Sequence, residues 1–450
     1  MTISKPKIFL VALLCQAIFC ASRVSADDVK NADAASTSST GVPIQKEVPV
    51  PASTAVDIHS ETSSATPAAA ETLDELHLPK ITDSMLRYSR IRYALFFFAF
   101  LYSLSILFFI MQSQLASRLR DYAIRANRNK AVQIVIFSVL LTLTVALFSL
   151  PLSLGSGYYL EHAFKLSDQS LVDFLIEKLK TIGVSSVLNS IALLIFFGTV
   201  KRFRVRWPLV LWLISIPVIA LGIFAEPILI DPLFNKFTPM VEGSLKTKIT
   251  DLAVKAKIPN AVILVADKSK QTNKINAYVT GLGDSSRIVL WDSTINRLPE
   301  DQVLAVVGHE IGHYSMQHIY WGFGMVVLAT LLLVPFGYFG ANWFITVLPK
   351  RWQVGSLTDY AVTPVLMVLS LSVGFMTMPL FNFVSRHQEH QADRYGLELT
   401  DNRLAMANLF VTFAEKNLSE PDPPAMIKFF LFTHPTLKER IEFAAGRKVD

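Results

Sequence analysis

The sequence LPEDQVLAVVGHEIGHYSMQH, residues 298–318, predicts a helix that carries a metal site. His309 and His313 are four residues apart, so on a helix their imidazoles share one face and can reach a single ion. Glu310 is rotated by about 100° from His309, which points its carboxylate beside the ion rather than at it. A carboxylate in that place can take a proton from a water molecule that the metal activates. The order and spacing therefore indicate metal-assisted hydrolysis.

The surroundings of the motif favour this interpretation over a chance match on a surface helix. Pro299 suits the first turn of a helix, and Glu300 and Asp301 suit its positive end. The residues around the motif are apolar, which predicts a buried helix. Gly308 and Gly312 flank the first histidine and allow another backbone to approach closely. Two histidines alone leave a ligand missing.

A third histidine is the first way to complete the site. In one class of zinc protease it stands ten residues after the first histidine and follows a glycine. Here those positions hold Ile319 and Met316, and His318 is one residue out of phase. That class is rejected.

A downstream carboxylate is the second way to complete the metal site. The segment SRHQEHQADRYGLEL, residues 385–399, has helical character and places Glu389 and Asp393 on one face. We predict Glu389 as the third ligand and Asp393 as the partner that orients a ligating histidine. His387 and His390 remain alternatives to Glu389. Zinc is the default ion for two imidazoles and one carboxylate.

The composition places the chain in a membrane. Of 450 residues, 52% are apolar and only 17% are charged, against about 25% charged in soluble proteins. Six apolar runs are near or above the length that crosses a bilayer as a helix. They comprise residues 93–111, 131–150, 181–200, 208–225, 320–348 and 359–381. The last two form an out-and-back hairpin, which returns the chain to the side of His313 before it reaches Glu389.

The distribution of charge indicates which partners the chain binds, and the cysteine content limits its chemistry. The net charge is +6, but lysines and arginines flank the apolar runs instead of forming one stripe, which favours the lipid bilayer and argues against nucleic acid. The two cysteines, Cys15 and Cys20, both precede residue 26. Disulfides and thiol catalysis are therefore excluded for the body of the chain.

The sequence divides into six predicted segments. The first 26 residues have the basic start, short apolar core and small residues of a signal peptide. The order is a signal peptide (1–26), a disordered acidic Ala/Ser/Thr/Pro tether (27–80), a four-span bundle (81–225), a metalloprotease region (226–318), a two-span hairpin (319–381) and a helical region that completes the metal site (382–450). Within 226–318, KTKITDLAVKAKI predicts a helix, and NAVILVA, INAYV and SRIVLW predict strands.

Five further motifs carry a resemblance to a known family. They are YYLEHAFKLSDQS (158–170), PLFNKFTP (232–239), NAYVTG (276–281), SRHQEHQAD (385–393) and HPTLKER (434–440). With the metal helix, they make residues from about 85 to the end similar to the type I CAAX prenyl proteases and their bacterial relatives, which are membrane zinc metalloendopeptidases.

The resemblance implies a fold, an activity and further site residues. The fold would be mainly α, a polytopic helical membrane bundle with a zincin-like metalloprotease domain that carries a small β-sheet. Asn276, Ala277 and Tyr278 would form an edge strand that binds a peptide or protein substrate in extended form. His434 would stabilise the oxyanion and Arg440 would orient the site carboxylates.

The side of the membrane and the substrate stay open. Eukaryotic members of the family have seven spans, and here a signal-like segment and the tether stand in place of the first. The basic loops 112–130, 201–207 and 350–351 favour the cytoplasm by the positive-inside rule. This directs the metal domain to the periplasm or lumen, whereas the resemblance implies the cytosol. CAAX processing and membrane-protein quality control are both compatible with the sequence, as are a transporter and a non-enzymatic zinc-binding adaptor. The sequence does not indicate the oligomeric state.

Overall fold

The computed structural model describes residues 70, 72–281, 286–347 and 350–449. Within them, six helices are long and apolar enough to cross a membrane, which confirms the six predicted spans. They are Asp83–Gln112, Lys130–Ala163, Leu171–Phe203, Trp207–Phe234, His318–Val347 and Tyr360–Thr400. The predicted signal peptide and residues 27–69 and 71 of the predicted tether lie outside the described residues.

The last residues of the predicted tether are not a tether. Leu76 is 2% exposed and belongs to the core of the metal domain. The Asn408 side chain donates a hydrogen bond to the carbonyl oxygen of Ala70 at 2.9 Å. One buried leucine and one hydrogen bond to the backbone hold this end against the metal domain, because burying the leucine removes apolar surface from water. The prediction that 27–80 is disordered throughout is wrong for this end.

Within the described residues, the four-span membrane bundle comprises seven α-helices, and polar side chains cap the starts of three long ones. Its elements are α1 (Asp83–Gln112), α2 (Leu115–Ala126), α3 (Lys130–Ser153), α4 (Leu160–Ala163), α5 (Leu171–Phe203), α6 (Trp207–Ala225) and α7 (Asp231–Phe234). The side chains of Thr82, Asn129 and Ser170 accept hydrogen bonds from the first turns of α1, α3 and α5. These caps satisfy backbone N–H groups that a helix start leaves without partners.

A four-stranded sheet follows the fourth span. The strands are β1 (Phe237–Pro239), β2 (Val262–Ala266), β3 (Ala277–Thr280) and β4 (Arg287–Trp291), in the order β1-β2-β4-β3. β2 and β4 are parallel, and the two outer strands pair antiparallel to them. The three predicted strands are confirmed, and β3 is at an edge. β1 was not predicted, because three residues with a proline carry no alternating pattern.

The remaining elements are helices. They are α8 (Ser244–Lys255), α9 (Asp292–Arg297), α10 (Glu300–Ser315), α11 (His318–Val347), α12 (Thr363–Thr400), α13 (Arg403–Lys416), α14 (Ala425–Leu431) and α15 (Leu437–Ala445). α12 has 38 residues, a length of about 57 Å at 1.5 Å per residue, and the hydrocarbon core needs only about 30 Å. The predicted boundary between residues 381 and 382 therefore falls inside one helix, and the part beyond it carries Glu389 and Asp393.

Glycines allow α10 and α12 to pack closely. A Cβ atom on Gly396 would be 2.7 Å from the backbone nitrogen of His309, and one on Gly308 would be 2.8 Å from a Thr400 methyl. A Cβ on Gly312 would be 3.0 Å from a backbone oxygen of α12. Such contacts leave no room for a side chain. The predicted close approach at Gly308 and Gly312 is thus confirmed, and Gly396 completes it.

Candidate metal centre

Three buried side chains converge where α10 crosses α12. The Nε2 atoms of His309 and His313 are 3.0 Å apart. Glu389 places Oε2 3.3 Å from Nε2 of His309 and Oε1 3.5 Å from Nε2 of His313. One ligand atom from each residue lies within 4.8 Å of the others, so the three could hold one metal ion. The structure thus brings together the residues predicted as ligands, and their binding of a metal stays a prediction.

His309 is oriented by a carboxylate and an arginine. Its Nδ1 atom is 2.7 Å from Oδ1 of Asp393. Arg440 donates from Nε to Oδ2 of Asp393 at 2.9 Å and from Nη2 to Oδ1 at 2.5 Å. A capping box between Thr436 and Glu439 begins α15 and places Arg440 in its first turns. With Nδ1–H donated to Asp393, the Nε2 lone pair of His309 is directed at the site.

His313 is oriented by two residues that the sequence did not indicate. Its Nδ1 is 2.8 Å from Nδ1 of His318, whose Nε2 is 3.2 Å from Oε1 of Gln391. With Gln391 accepting from Nε2–H of His318, the other nitrogen of His318 accepts from Nδ1–H of His313. The Nε2 lone pair of His313 is then free for a metal. The sequence shows only that His318 is out of phase for a ligand, not that it contacts His313.

The electrostatics of the site suit a cation. Burial opposes a charge on His309, but the adjacent Asp393 carboxylate outweighs burial and raises the pKa of His309 to about 9. Burial lowers the pKa of His313 to about 3. A proton on His309 thus supplies the positive charge that a metal would replace. Among the described residues, Oε2 of Glu389 and Nε2 of His434 are buried without a hydrogen-bond partner, so the donor set fits a metal ion.

The other residues predicted near the metal occupy distinct positions. Nε2 of His434 is 3.3 Å from Oε2 of Glu389. Glu310 is 3% exposed, on the same helix as His309 and His313. His387 is exposed, and the ring of His390 packs on Phe443 with centroids 4.5 Å apart. Neither alternative to Glu389 belongs to the cluster.

The predicted substrate residues lie at and just before the edge strand. Asn276 precedes β3, Ala277 is in the core with α10, and the neighbouring Tyr278 points to the opposite face of the sheet. There its hydroxyl donates to Asp231 at 3.1 Å, and burial raises the pKa of Tyr278. A cavity of about 560 Å³ on this face is lined by Tyr278 and Arg287 among others, but not by the metal cluster. Ala277 and Tyr278 thus lie on the two faces of the sheet, of which β3 is the last strand.

Six candidate spans and a buried His–His–Glu group on one helix crossing define a membrane-embedded metalloprotease. The comparisons with known proteins give the same class. The family described as Peptidase family M48 matches residues 239–448, and the one described as CAAX prenyl protease N-terminal, five membrane helices, matches residues 60–236. Four of the six candidate spans lie within the second match. The chain belongs to peptidase family M48, which confirms the resemblance seen in the motifs.

Individual relatives extend over most of the chain. It is 34% identical over 366 residues to the uncharacterized metalloprotease YhfN of Bacillus subtilis, covering 80% of this chain and 84% of that protein. It is 30% identical to CAAX prenyl protease 1 of Saccharomyces cerevisiae, covering 69% and 71%. The crystal structure of S. mikatae Ste24p matches with a TM-score of 0.68 and 22% identity, over 99% of this chain and all of that one. This last match confirms the predicted fold.

Proposed function

We propose that this metalloprotease is a zinc endopeptidase whose ion is held by His309, His313 and Glu389. The observation that carries the proposal is the convergence of two buried imidazole nitrogens and a buried carboxylate, each within 4.8 Å of the others. Two nitrogens and one oxygen from protein, with a position left open, is the donor set of catalytic zinc sites. The partners of His309 and His313 on their other ring nitrogens fit the same role.

Each nearby residue has a part in peptide hydrolysis. Bound zinc supplies Lewis-acid chemistry, which polarises a carbonyl and makes water acidic near neutral pH. Glu310 takes the proton from the attacking water and passes it to the leaving nitrogen. Burial lowers the pKa of His434 to about 3, so its ring is neutral. With the Thr433 hydroxyl donating to Nδ1 at 2.9 Å, Nε2–H of His434 can stabilise the charge that develops on the carbonyl oxygen.

The substrate is an extended peptide that adds to the free edge of β3. Main-chain hydrogen bonds then bind it without regard to most side chains. The similarity to CAAX prenyl protease 1 of Saccharomyces cerevisiae supports a prenylated C-terminal peptide as one substrate class. Membrane-protein quality control is the second class, because an edge strand accepts any unfolded segment.

Cleavage by the purified full-length chain tests this function. Two probes are offered in detergent, a farnesylated CAAX-type peptide and the oxidised insulin B chain. We expect stoichiometric zinc, cleavage of at least one probe, loss of cleavage with a zinc chelator and recovery on adding zinc. Cleavage of the farnesylated peptide alone identifies the first substrate class. A zinc-loaded chain that cleaves neither probe would show a binding adaptor instead, and a chain without zinc would favour a transporter.

We also propose that the metal domain faces the periplasm or lumen, because the short loops on the other side are basic. The body of the chain has no cysteine, so single cysteines can be placed in a variant that lacks Cys15 and Cys20. Glu242 and Arg125 are exposed, on the metal-domain side and in a basic loop respectively. We expect a membrane-impermeant thiol reagent to label Glu242→Cys but not Arg125→Cys in intact cells. The reverse pattern would place the active site in the cytosol.

A further inference from the structure

A buried carboxylate joins the membrane bundle to the chain that leads into β3. Glu161, in α4, is 4% exposed. Its Oε1 accepts from the hydroxyl of Tyr88 at 2.8 Å and from Nη1 of Arg92 at 3.2 Å, both in α1. Its Oε2 is 2.8 Å from Nζ of Lys274. Lys274 belongs to residues 271–276, here termed the lead-in segment, which ends where β3 begins.

This cluster is poorly explained as a source of stability. Arg92 and Lys274 are buried as well, so two cations share the single carboxylate of Glu161. Desolvating three charges costs about as much as their attraction returns, and apolar residues of similar size often serve stability better. A buried ion cluster does fix the relative position of its members, because a buried charge that loses its partner is strongly unfavourable. The cluster therefore specifies where the lead-in segment lies.

The loop that follows α4 holds the same segment at further points. The backbone N–H of Asn273 donates to the carbonyl oxygen of Leu166 at 3.2 Å, and its side chain donates to Oδ2 of Asp168 at 2.7 Å. The hydroxyl of Ser167 donates to the carbonyl oxygen of Gln271 at 2.8 Å. The end of the second span and the lead-in segment thus form one polar interface.

The other end of the lead-in segment is fixed to α9. The backbone N–H of Asn276 donates to the hydroxyl of Thr294 at 2.8 Å, and that hydroxyl donates to the carbonyl oxygen of Asn276 at 2.6 Å. The hydroxyl of Ser293 donates to the carbonyl oxygen of Lys274. β3 therefore starts from a point that the spans and α9 define together, next to α10.

We propose that Glu161 is a positioning residue for the substrate strand. By holding Lys274 against the first two spans, it fixes where β3 stands relative to α10, and so which peptide bond of an added strand reaches the metal. This inference rests on the proposed function, which gives β3 its role. Strand residues are spaced by about 3.3 Å, so a small displacement of β3 is enough to present a neighbouring bond. Loss of Glu161 thus changes the cleavage register rather than only the rate.

Glu161→Gln tests the inference, because it keeps the size of the side chain and an acceptor for Tyr88 but removes the charge that Lys274 needs. Using whichever of the two probes the wild type cleaves, we expect kcat/KM to fall by about tenfold. Mass spectrometry should find new fragments cut at bonds adjacent to the wild-type site. Zinc content should not change. Lys274→Met should give the same fragments, and the double variant should add little to either.

Asp359→Asn is the matched control. Oδ2 of Asp359 forms an ion pair with Nη1 of Arg120 at 2.7 Å, and both side chains are 15% exposed. This pair also joins two parts of the membrane bundle, but it does not contact the lead-in segment. We expect a loss of thermal stability without new fragments. New fragments in the control would show general loosening and overturn the inference, as would wild-type fragments from both Glu161→Gln and Lys274→Met. If Glu161→Gln does not fold, Lys274→Met alone decides. A wild type that cleaves neither probe refutes the proposed function itself.

Discussion

Glu310→Gln is expected to keep its zinc and to lose roughly 10²–10⁴-fold in kcat, the contribution of a well-placed general base. The substitution changes one oxygen to an amide group in a side chain that is 3% exposed, so the packing of α10 is preserved. Glutamine cannot accept the proton of the attacking water at neutral pH, nor return it to the leaving nitrogen. Because Glu310 is outside the His309, His313 and Glu389 group, zinc binding does not depend on it.

The measurement combines zinc analysis with single-substrate kinetics on the same preparation. Glu300→Gln is the control on the same helix. Glu300 is at the start of α10, where it pairs with Lys248 at the surface, and its substitution should leave kcat within about twofold, since surface ion pairs contribute little. Full turnover by Glu310→Gln would remove Glu310 from the mechanism. Loss of zinc in this variant would show that it acts as a ligand instead.

The sequence predicted well what depends on local pattern. The six spans follow from apolar runs of membrane length, and α10 follows from its proline and acids at the start and its apolar face. The end of the tether at Leu76 was missed, because a single buried leucine in a polar stretch has no periodicity. α12 was divided at residue 381, where its composition changes from lipid-facing to polar while the helix continues.

The site was predictable where spacing within one helix determines it. His309 and His313 share a face by periodicity alone. The approach of Glu389 could be inferred from the two-span hairpin, but its distance from the imidazoles depends on Gly308 and Gly396, whose contact across two helices no local pattern shows. His318 is not one of the three clustered residues, as its phase predicts, but its contact with His313 and with Gln391 on its other side depends on the packing of α12 and has no local pattern either.

Glu389→Ala and Glu389→Gln should both lower the affinity for zinc. The loss should exceed the roughly 10–100-fold that removing an outer partner of a ligand costs. Glu389 is the only anion in the cluster of three, so without it two neutral imidazoles face a divalent ion in a buried site. Glutamine fills the same volume in a side chain that is 1% exposed, which separates loss of the ligand from loss of packing. Bound zinc is measured after dialysis against buffers of defined free zinc.

Substitutions of three neighbouring residues test whether Glu389 is the third zinc ligand. Asp393→Asn should weaken zinc binding by roughly 10–100-fold, because it removes the charge that orients His309 but no ligand. His387→Ala and His390→Ala should keep wild-type zinc, since one ring is exposed and the other packs on Phe443. Retention of zinc by Glu389→Gln together with its loss in His390→Ala would transfer the third ligand to that histidine. The 3.3 Å between Glu389 and His309 argues for the opposite result, because Glu389 lies next to both imidazoles whereas His390 packs on Phe443.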